Sequence, residues 1–518
     1  MKMKQFITYF SKHMRLTKLF LVLLFLSNLV TAQNAFVQDS LDLYVKREME
    51  RWKIPGAAIA IVKDGKVVVA KGYGVRELGK PGKVDQHTLF QIASNTKLFT
   101  ATCLSLLHVQ KRLTLDDKIT KWIKDFRLYD TLATREVTIR DMLCHRIGYL
   151  TFQSDLLNWN SNLSRSALIQ NMRNVKPYYS FRSKWGYCNM GFVTAGEVIR
   201  FATDTTWEDF VKTRLFDPLQ MQRTNTSYQL LLSDTDAAVA HTVINDSILK
   251  LPYANIESIG PSGSINSSVN DLSHWLLMQL DSGRYEGNAI IPFAALRETR
   301  RSQMVVGDPN NPLFPLKHFA TYGLGLDLND YAGRKVMSHG GGTDGFVTEV
   351  MFVPEEGLGI VVLTNTDANN FFEVLAYQLL ESYLQLPYRN LSELFYTDYK
   401  DGVFAQESEI KEWLQRLALK PVPTLPLDRY SGKYTNSVYG DIEIKKENNK
   451  LNIYFSRHPN NIGHLEPYGG NDFVCTYSSR SYGVKMISFS AENEKVKTVT
   501  LRVNDYIDMM PYEFTKVN

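Results

Sequence analysis

The stretch Phe90-Gln91-Ile92-Ala93-Ser94-Asn95-Thr96-Lys97-Leu98-Phe99-Thr100-Ala101 decides how the rest of the chain is read. Apolar residues continue with helical spacing to Leu107, so a helix begins at or beside Ser94 and carries Lys97 one turn on, on the same face. A serine hydroxyl is a poor nucleophile until a neighbouring base takes its proton, and a lysine does so when its amine is neutral. The positive end of the helix dipole and burial both disfavour the ammonium. The amide N–H groups of the same helix end favour a developing oxyanion. Alone, Ser-x-x-Lys is a weak pattern, since a serine N-cap followed by a solvated lysine is spelled the same way. The strand-like approach, the small Ala93 and the long apolar helix behind it strengthen the reading.

Two later segments add chemistry. In Phe181-Arg182-Ser183-Lys184-Trp185-Gly186-Tyr187-Cys188-Asn189-Met190-Gly191-Phe192, Tyr187 and Asn189 alternate about Cys188 and point one way in an extended turn. A phenol there serves as a proton shuttle if nearby cations lower its pKa, and the amide holds a substrate carbonyl. In Met337-Ser338-His339-Gly340-Gly341-Gly342-Thr343-Asp344-Gly345-Phe346, glycines before an apolar strand let backbone approach a ligand and offer N–H groups. Asp344 reads as a solvated loop carboxylate rather than a contact for a substrate amine.

Around these motifs the chain has a clear order. Phe36 to Trp52 reads as an amphipathic helix, and Asp64-Gly65 joins two apolar runs, Ala57 to Val62 and Lys66 to Tyr73, as a hairpin. A second hairpin flanks Glu356-Gly357, and a helix from Asn369 to Leu386 follows. Hairpin, helical middle (about Ser94 to Ser282), hairpin and closing helix imply an antiparallel sheet completed by both ends of one domain. That domain spans residues 33–388. Residues 389–427 read as a charged, helical linker punctuated by Pro421, Pro423 and Pro426, and 428–518 as a small all-β domain of short strands.

Residues 1–32 read as a secretory signal peptide: Lys2, Lys4, Lys12, Arg15 and Lys18, then the apolar run Leu19 to Leu26, then Val30-Thr31-Ala32 before a cleavage point. A retained anchor is the alternative, but polar Ser27, Asn28 and Thr31 interrupt the run short of the about 20 apolar residues that a span needs. The expected location is the periplasm or the exterior, with no membrane span after cleavage. The chain has 518 residues, with 59 basic against 54 acidic, and the five basic residues of the leader account for the whole excess. No basic surface is left to argue for nucleic acid. Cys103, Cys144, Cys188 and Cys475 are irregularly spaced and read as buried free thiols, and no metal-ligand spacing or cofactor motif is present.

Taken together, the segments resemble the penicillin-recognising serine hydrolases: class C β-lactamases, low-molecular-mass penicillin-binding proteins, and related esterases and D-aminopeptidases. The likeness is collinear from Ser94-x-x-Lys97 through Val137-Thr138-Ile139-Arg140-Asp141-Met142-Leu143-Cys144-His145-Arg146-Ile147-Gly148 and Tyr187-x-Asn189. It continues through Phe216-Asp217-Pro218-Leu219-Gln220-Met221 and Gly260-Pro261-Ser262-Gly263-Ser264 to His339-Gly340-Gly341, covering roughly residues 40–385. Residues 428–518 look like the small β domain often appended to this family.

The resemblance implies an α/β (α+β) fold with a five-stranded-type antiparallel sheet, flanking helices and an inserted all-helical region. It implies Ser94 as the acylated nucleophile, Lys97 as its base, and Tyr187 as an aid to acylation or deacylation. Asn189, His339, Gly340, Gly341 and Gly342 would bind substrate, with the N–H groups of Ser94 and Gly342 as the oxyanion hole. His145-Arg146 is read as structural. Lactam- and peptide-cleaving members usually carry Lys-Thr-Gly where this chain has His339-Gly340-Gly341. A neutral imidazole and a glycine hold a carboxylate poorly, so the expectation moves toward an esterase or D-amino-acid peptidase. A class C-like β-lactamase is the alternative enzyme, and a non-catalytic cell-wall or peptide receptor the alternative of another class.

Overall fold

The computed structural model describes residues 34–307 and 311–517; the leader read at 1–32 lies outside the described residues. Both expected hairpins form, and they pair with each other. Strands β1 (Gly56–Lys63) and β2 (Lys66–Gly74) are joined through Asp64 and Gly65 at φ +50° and +74°, the left-handed pair that a two-residue hairpin turn requires. Along the sheet follow β3 (Met304–Val305), β4 (Ala320–Tyr322), β5 (Asp327–Tyr331), β6 (Arg334–Thr343), β7 (Phe346–Val353) and β8 (Leu358–Thr364). Among the described residues they form one eight-stranded antiparallel sheet in the order β2-β1-β8-β7-β6-β5-β4-β3. β1 lies against β8 from Ala57↔Thr364 to Lys63↔Leu358, so both ends of the domain close the sheet. Three short strands extend it past the five expected, because β5, β4 and β3 fold back beside β6.

β1 is buried on both faces, which is why it reads as an unbroken apolar run. Ala58, Ala60 and Val62 join the core under the inserted region, whereas Ala57, Ile59 and Ile61 join the core beneath the terminal helices. Those helices are α1 (Leu41–Arg51), which buries Leu41, Tyr44, Val45, Glu48 and Met49 along one stripe, and a later helix that follows β8. The insert carries α2 (Thr96–Val109), α3 (Asn189–Thr203) and α4 (Val269–Leu280). It departs from an all-helical expectation by a hairpin, His241–Ile244 with Ser247–Lys250, whose Asn245 and Asp246 both take positive φ. Next come the helix after β8, α5 (Phe371–Tyr383), and α6 (Leu391–Ala418), 28 residues long over the stretch read as a linker. Buried Glu48 accepts from Ser392 Oγ at 2.6 Å, and Ser392 Oγ accepts from Trp52 Nε1 at 2.8 Å, pinning the start of α6 to α1.

Beyond α6, β9 (Gly432–Asn436), β10 (Gly440–Glu447), β11 (Lys450–Phe455), β12 (Ile462–Gly469), β13 (Asp472–Tyr477), β14 (Val484–Glu492), β15 (Lys495–Leu501) and β16 (Tyr512–Lys516) close into a barrel. Closure leaves no free strand edge. Its interior is packed with Tyr434, Ile444, Ile453, Phe473 and Phe514. All four cysteines are buried free thiols.

Candidate active site

Ser94 sits in the short turn Ala93–Asn95 that leads into α2. The turn is held tightly. Ile92 N–H donates to Ile265 O at 3.0 Å, Thr348 Oγ1 on β7 donates to Ile92 O at 3.2 Å, and Asn95 Nδ2 donates to Thr348 Oγ1 at 2.9 Å. Ala93 is driven to φ +46°, a left-handed conformation for a residue with a Cβ, which persists only because its surroundings over-determine it.

Lys97 is fully buried, with Nζ 3.0 Å from Ser94 Oγ, 2.7 Å from Asn189 Oδ1 and 2.8 Å from the Ser262 carbonyl oxygen. Burial lowers its pKa to about 7, against the nearby Asp155 carboxyl, which raises it. A neutral Lys97 amine has two N–H groups for Asn189 and Ser262 and one lone pair for the Ser94 hydroxyl proton. The geometry therefore suits a base. The Asn189 amide is oriented from its other end, because Nδ2 donates to Asp155 Oδ2 at 2.6 Å. Asp155 also accepts from Asn158 Nδ2 at 2.7 Å, and burial pushes its carboxyl up to about 8. Asp155 has no role legible in the sequence, since it belongs to no short motif. Ser262 lies in the segment Gly260-Pro261-Ser262-Gly263-Ser264 but acts through a backbone carbonyl that no side-chain pattern marks.

Tyr187 packs over the same amine, with Lys97 Nζ 4.8 Å from its ring centroid, and its hydroxyl interacts with Ser94. Burial pushes the phenol well above its usual range, so it is neutral, contrary to the expectation of a phenol lowered by cations. Beneath it runs a chain of neutral groups. Cys188 N–H donates to His145 Nδ1 at 3.0 Å, and burial keeps His145 well below its usual pKa, so its proton is on Nε2. That nitrogen donates to Tyr322 Oη at 3.2 Å, and the Tyr322 hydroxyl donates to His339 Nε2 at 3.1 Å. His339 Nδ1–H then donates to Gly340 O at 2.6 Å. Burial holds His339 down to about 3, so the third motif brings no positive charge. Tyr322 gave no sequence signal.

The glycines of that motif lie on β6, paired with β7 from Met337↔Phe352 to Thr343↔Phe346. A Cβ on Gly341 would stand 2.2 Å from Ile92 O, so only glycine lets this strand rest on the Ser94 turn. Asp344, expected in solvent, is instead buried and accepts from Trp159 Nε1 at 2.8 Å.

Ser94, Tyr187, Asn189, His339, Gly340 and Gly342 line one cleft of about 1250 Å³. Its outer wall comes from Phe404 and Leu414 of α6, and from Arg480, Ser481 and Tyr506 of the barrel. Tyr482 Oη donates to Trp159 O at 3.1 Å, and Asp508 Oδ2 accepts from Leu156 N–H at 3.3 Å. The barrel thus holds the 155–159 turn that presents Asp155. Among the described residues no helix is long and apolar enough to cross a membrane, and no cluster of His, Cys, Asp and Glu could hold a metal ion.

A family model described as Beta-lactamase matches residues 41–385, and one described as a domain of unknown function (DUF3471) matches 418–516. Protein flp of Staphylococcus aureus (strain MW2) is 27% identical over 338 residues, which span 64% of this chain and 64% of that protein. Unguisins hydrolase ungD of Aspergillus violaceofuscus (strain CBS 115571) is 26% identical over 437 residues, 77% of this chain and 75% of that protein. Among solved structures, the octameric penicillin-binding protein homologue from Pyrococcus abyssi matches with a TM-score of 0.60 at 21% identity, covering 92% of this chain and 99% of that one. A D-stereospecific amidohydrolase from Streptomyces sp. matches with a TM-score of 0.51 at 23% identity, covering 63% and 94%. These two structural likenesses concern the fold. The family model runs from before the Ser94 turn to beyond the glycine strand of His339, and the chain belongs to the β-lactamase family of serine hydrolases.

Proposed function

We propose that this protein is an exported hydrolase that opens an ester or amide bond through an acyl-enzyme on Ser94, acting on a D-amino-acid-containing or peptidoglycan-derived substrate. The observation that carries the chemistry is Lys97 Nζ at 3.0 Å from Ser94 Oγ, with its two other hydrogen-bonding directions taken by Asn189 and Ser262. Neutral Lys97 takes the Ser94 hydroxyl proton as Oγ bonds to the substrate carbonyl carbon. The oxyanion that forms is held by the N–H groups of Ser94 and Gly342. As the tetrahedral adduct collapses, the proton passes to the departing alcohol or amine, with neutral Tyr187 beside Ser94 as relay. Water then attacks the acyl carbon and gives a proton to Lys97; the Ser94–acyl bond breaks, Lys97 returns that proton to Ser94 Oγ, and the acid is released.

An ester or D-amino amide fits better than a β-lactam because His339 is neutral and both ring nitrogens are engaged within the protein. A relative described as an unguisins hydrolase is consistent with a hydrolytic reaction. The leader read at residues 1–32 supports export to the periplasm or beyond.

The test is intact mass after treatment with a fluorophosphonate or a penicillin. One adduct on the native enzyme and none on Ser94→Ala is expected. An equal adduct on both, or none on either, sinks the assignment. Turnover of a short-chain aryl ester, a D-alanine amide and a chromogenic cephalosporin then ranks the substrates, with the cephalosporin expected last.

A further inference from the structure

One carboxylate in the cleft plays no part in acylation. Asp327 opens β5 and lines the same cavity as Ser94, Tyr187 and His339. A glycine puts it there. Gly325 has φ +70°, and a Cβ on it would lie 2.6 Å from the Lys97 carbonyl oxygen, so a larger residue would push this turn off α2. From the turn, β5 pairs with β6 only as far as Asp327↔Ser338. His339 to Thr343 are therefore paired on the β7 side alone, leaving an open edge that begins where Asp327 stands. An extended acyl chain adding to that edge by backbone hydrogen bonds runs toward the Asp327 carboxylate.

Acidic groups outnumber cations around Asp327. Among the described residues its carboxyl has no hydrogen-bond partner, and burial pushes it up to about 7, with Lys317 opposing and Glu373 adding to the shift. Glu349, on the same face through its pairing with Gly340, and Glu373 are raised by burial as well, and the same Lys317 is the cation that acts on each. Of these groups only Asp327 lines the cleft, so a substrate carboxylate placed at this edge would meet Asp327 and a neutral His339. A cationic group beside Asp327 would favour the ionised carboxylate that burial disfavours, whereas an anionic group would not.

We propose that Asp327 is the recognition site for a cationic group, an ammonium or guanidinium, carried by the ester or amide substrate. The proposal rests on the Ser94 reading only for which cleft the substrate occupies. Binding to the Ser94→Ala variant tests it apart from chemistry. Titration calorimetry would compare p-nitroanilides of D-alanine and Nα-acetyl-D-lysine, both cationic, with those of N-acetyl-D-alanine (neutral) and N-succinyl-D-alanine (anionic). At least one cationic ligand should bind about tenfold tighter than the neutral one, and the anionic one weakest. In Ser94→Ala/Asp327→Asn that preference should collapse. Neutral or anionic ligands binding as tightly as both cations, or a preference that survives Asp327→Asn, overturns the proposal. If the double variant does not fold, the ranking on Ser94→Ala alone decides. Failure of fluorophosphonate labelling would remove the nucleophile and leave this ranking intact, so the two readings fail separately.

Discussion

Lys97 is the residue on which the chemistry turns, and its charge is set by surroundings. Its amine is neutral above a pH of about 7 because burial disfavours the ammonium. Below that pH the Ser94 hydroxyl loses its base, so kcat/KM for a neutral aryl ester should fall as pH drops through about 7 and level off above it. The Asp155 carboxyl works against burial by raising Lys97. Asp155 itself stays largely protonated until about pH 8, so only the ionised fraction of its carboxyl raises Lys97. Asp155→Asn removes that fraction, and the acid limb should move slightly to lower pH in a stopped-flow or steady-state pH profile. A limb that moves up, or not at all, would separate Asp155 from the lysine. Lys97→Met should slow acylation by about 10²- to 10⁴-fold, the range of a lost general base, with little change in thermal stability.

At the scale of the element, β6 does two jobs with neighbouring glycines, and they should respond differently to a methyl group. Gly341 faces the Ser94 turn, where a Cβ would meet Ile92 O at 2.2 Å and Thr348 Oγ1 at 2.5 Å. Gly341→Ala must shift the strand or the Ser94 turn, at a cost of about 1–3 kcal/mol in urea unfolding, together with lost activity. Gly342 has only Val347 Cγ1 near, at 3.9 Å. Gly342→Ala should stay within about 0.5 kcal/mol of the native protein in the same measurement. Equal costs for the two would mean that β6 does not rest on the Ser94 turn as described.

Across the whole molecule, the barrel and the hydrolase fold share the 155–159 turn. Trp159 is counted in the barrel's core, yet its Nε1 donates to Asp344 beside the glycine strand. Leu156 lies in that same core, one residue from the Asp155 that orients Asn189. Trp159→Ala should cost about 3–5 kcal/mol and split a shared thermal transition into two by calorimetry. A variant that keeps the native melting profile would show that the barrel is held by other contacts. Activity should fall with it, since the outer cleft wall and the support of Asp155 are lost together.

What the sequence by itself determined is local. Asp64-Gly65 gives a hairpin because both residues take positive φ, and β1 reads as a strand because its alternate side chains enter two cores. Ser94 and Lys97 face one another because three residues make nearly one helical turn. The glycine run ahead of Phe346 marks a close approach, and only its neighbour, the Ile92 carbonyl, had to be seen. Tertiary structure decided everything that joins distant segments. Asn189 lies 92 residues from Lys97, and the Ser262 carbonyl 165, so no periodicity predicts that they would take up the lysine's hydrogen bonds. The same distance in sequence hid Asp155, Tyr322, Asp327 and the barrel's share of the cleft. Burial depends on what packs from outside; it pushes the Tyr187 phenol further from ionisation and makes Asp344 a buried acceptor. Short-range pattern singled out Ser94 and Lys97; desolvation and long-range packing decided the lysine's charge state and the surroundings of both.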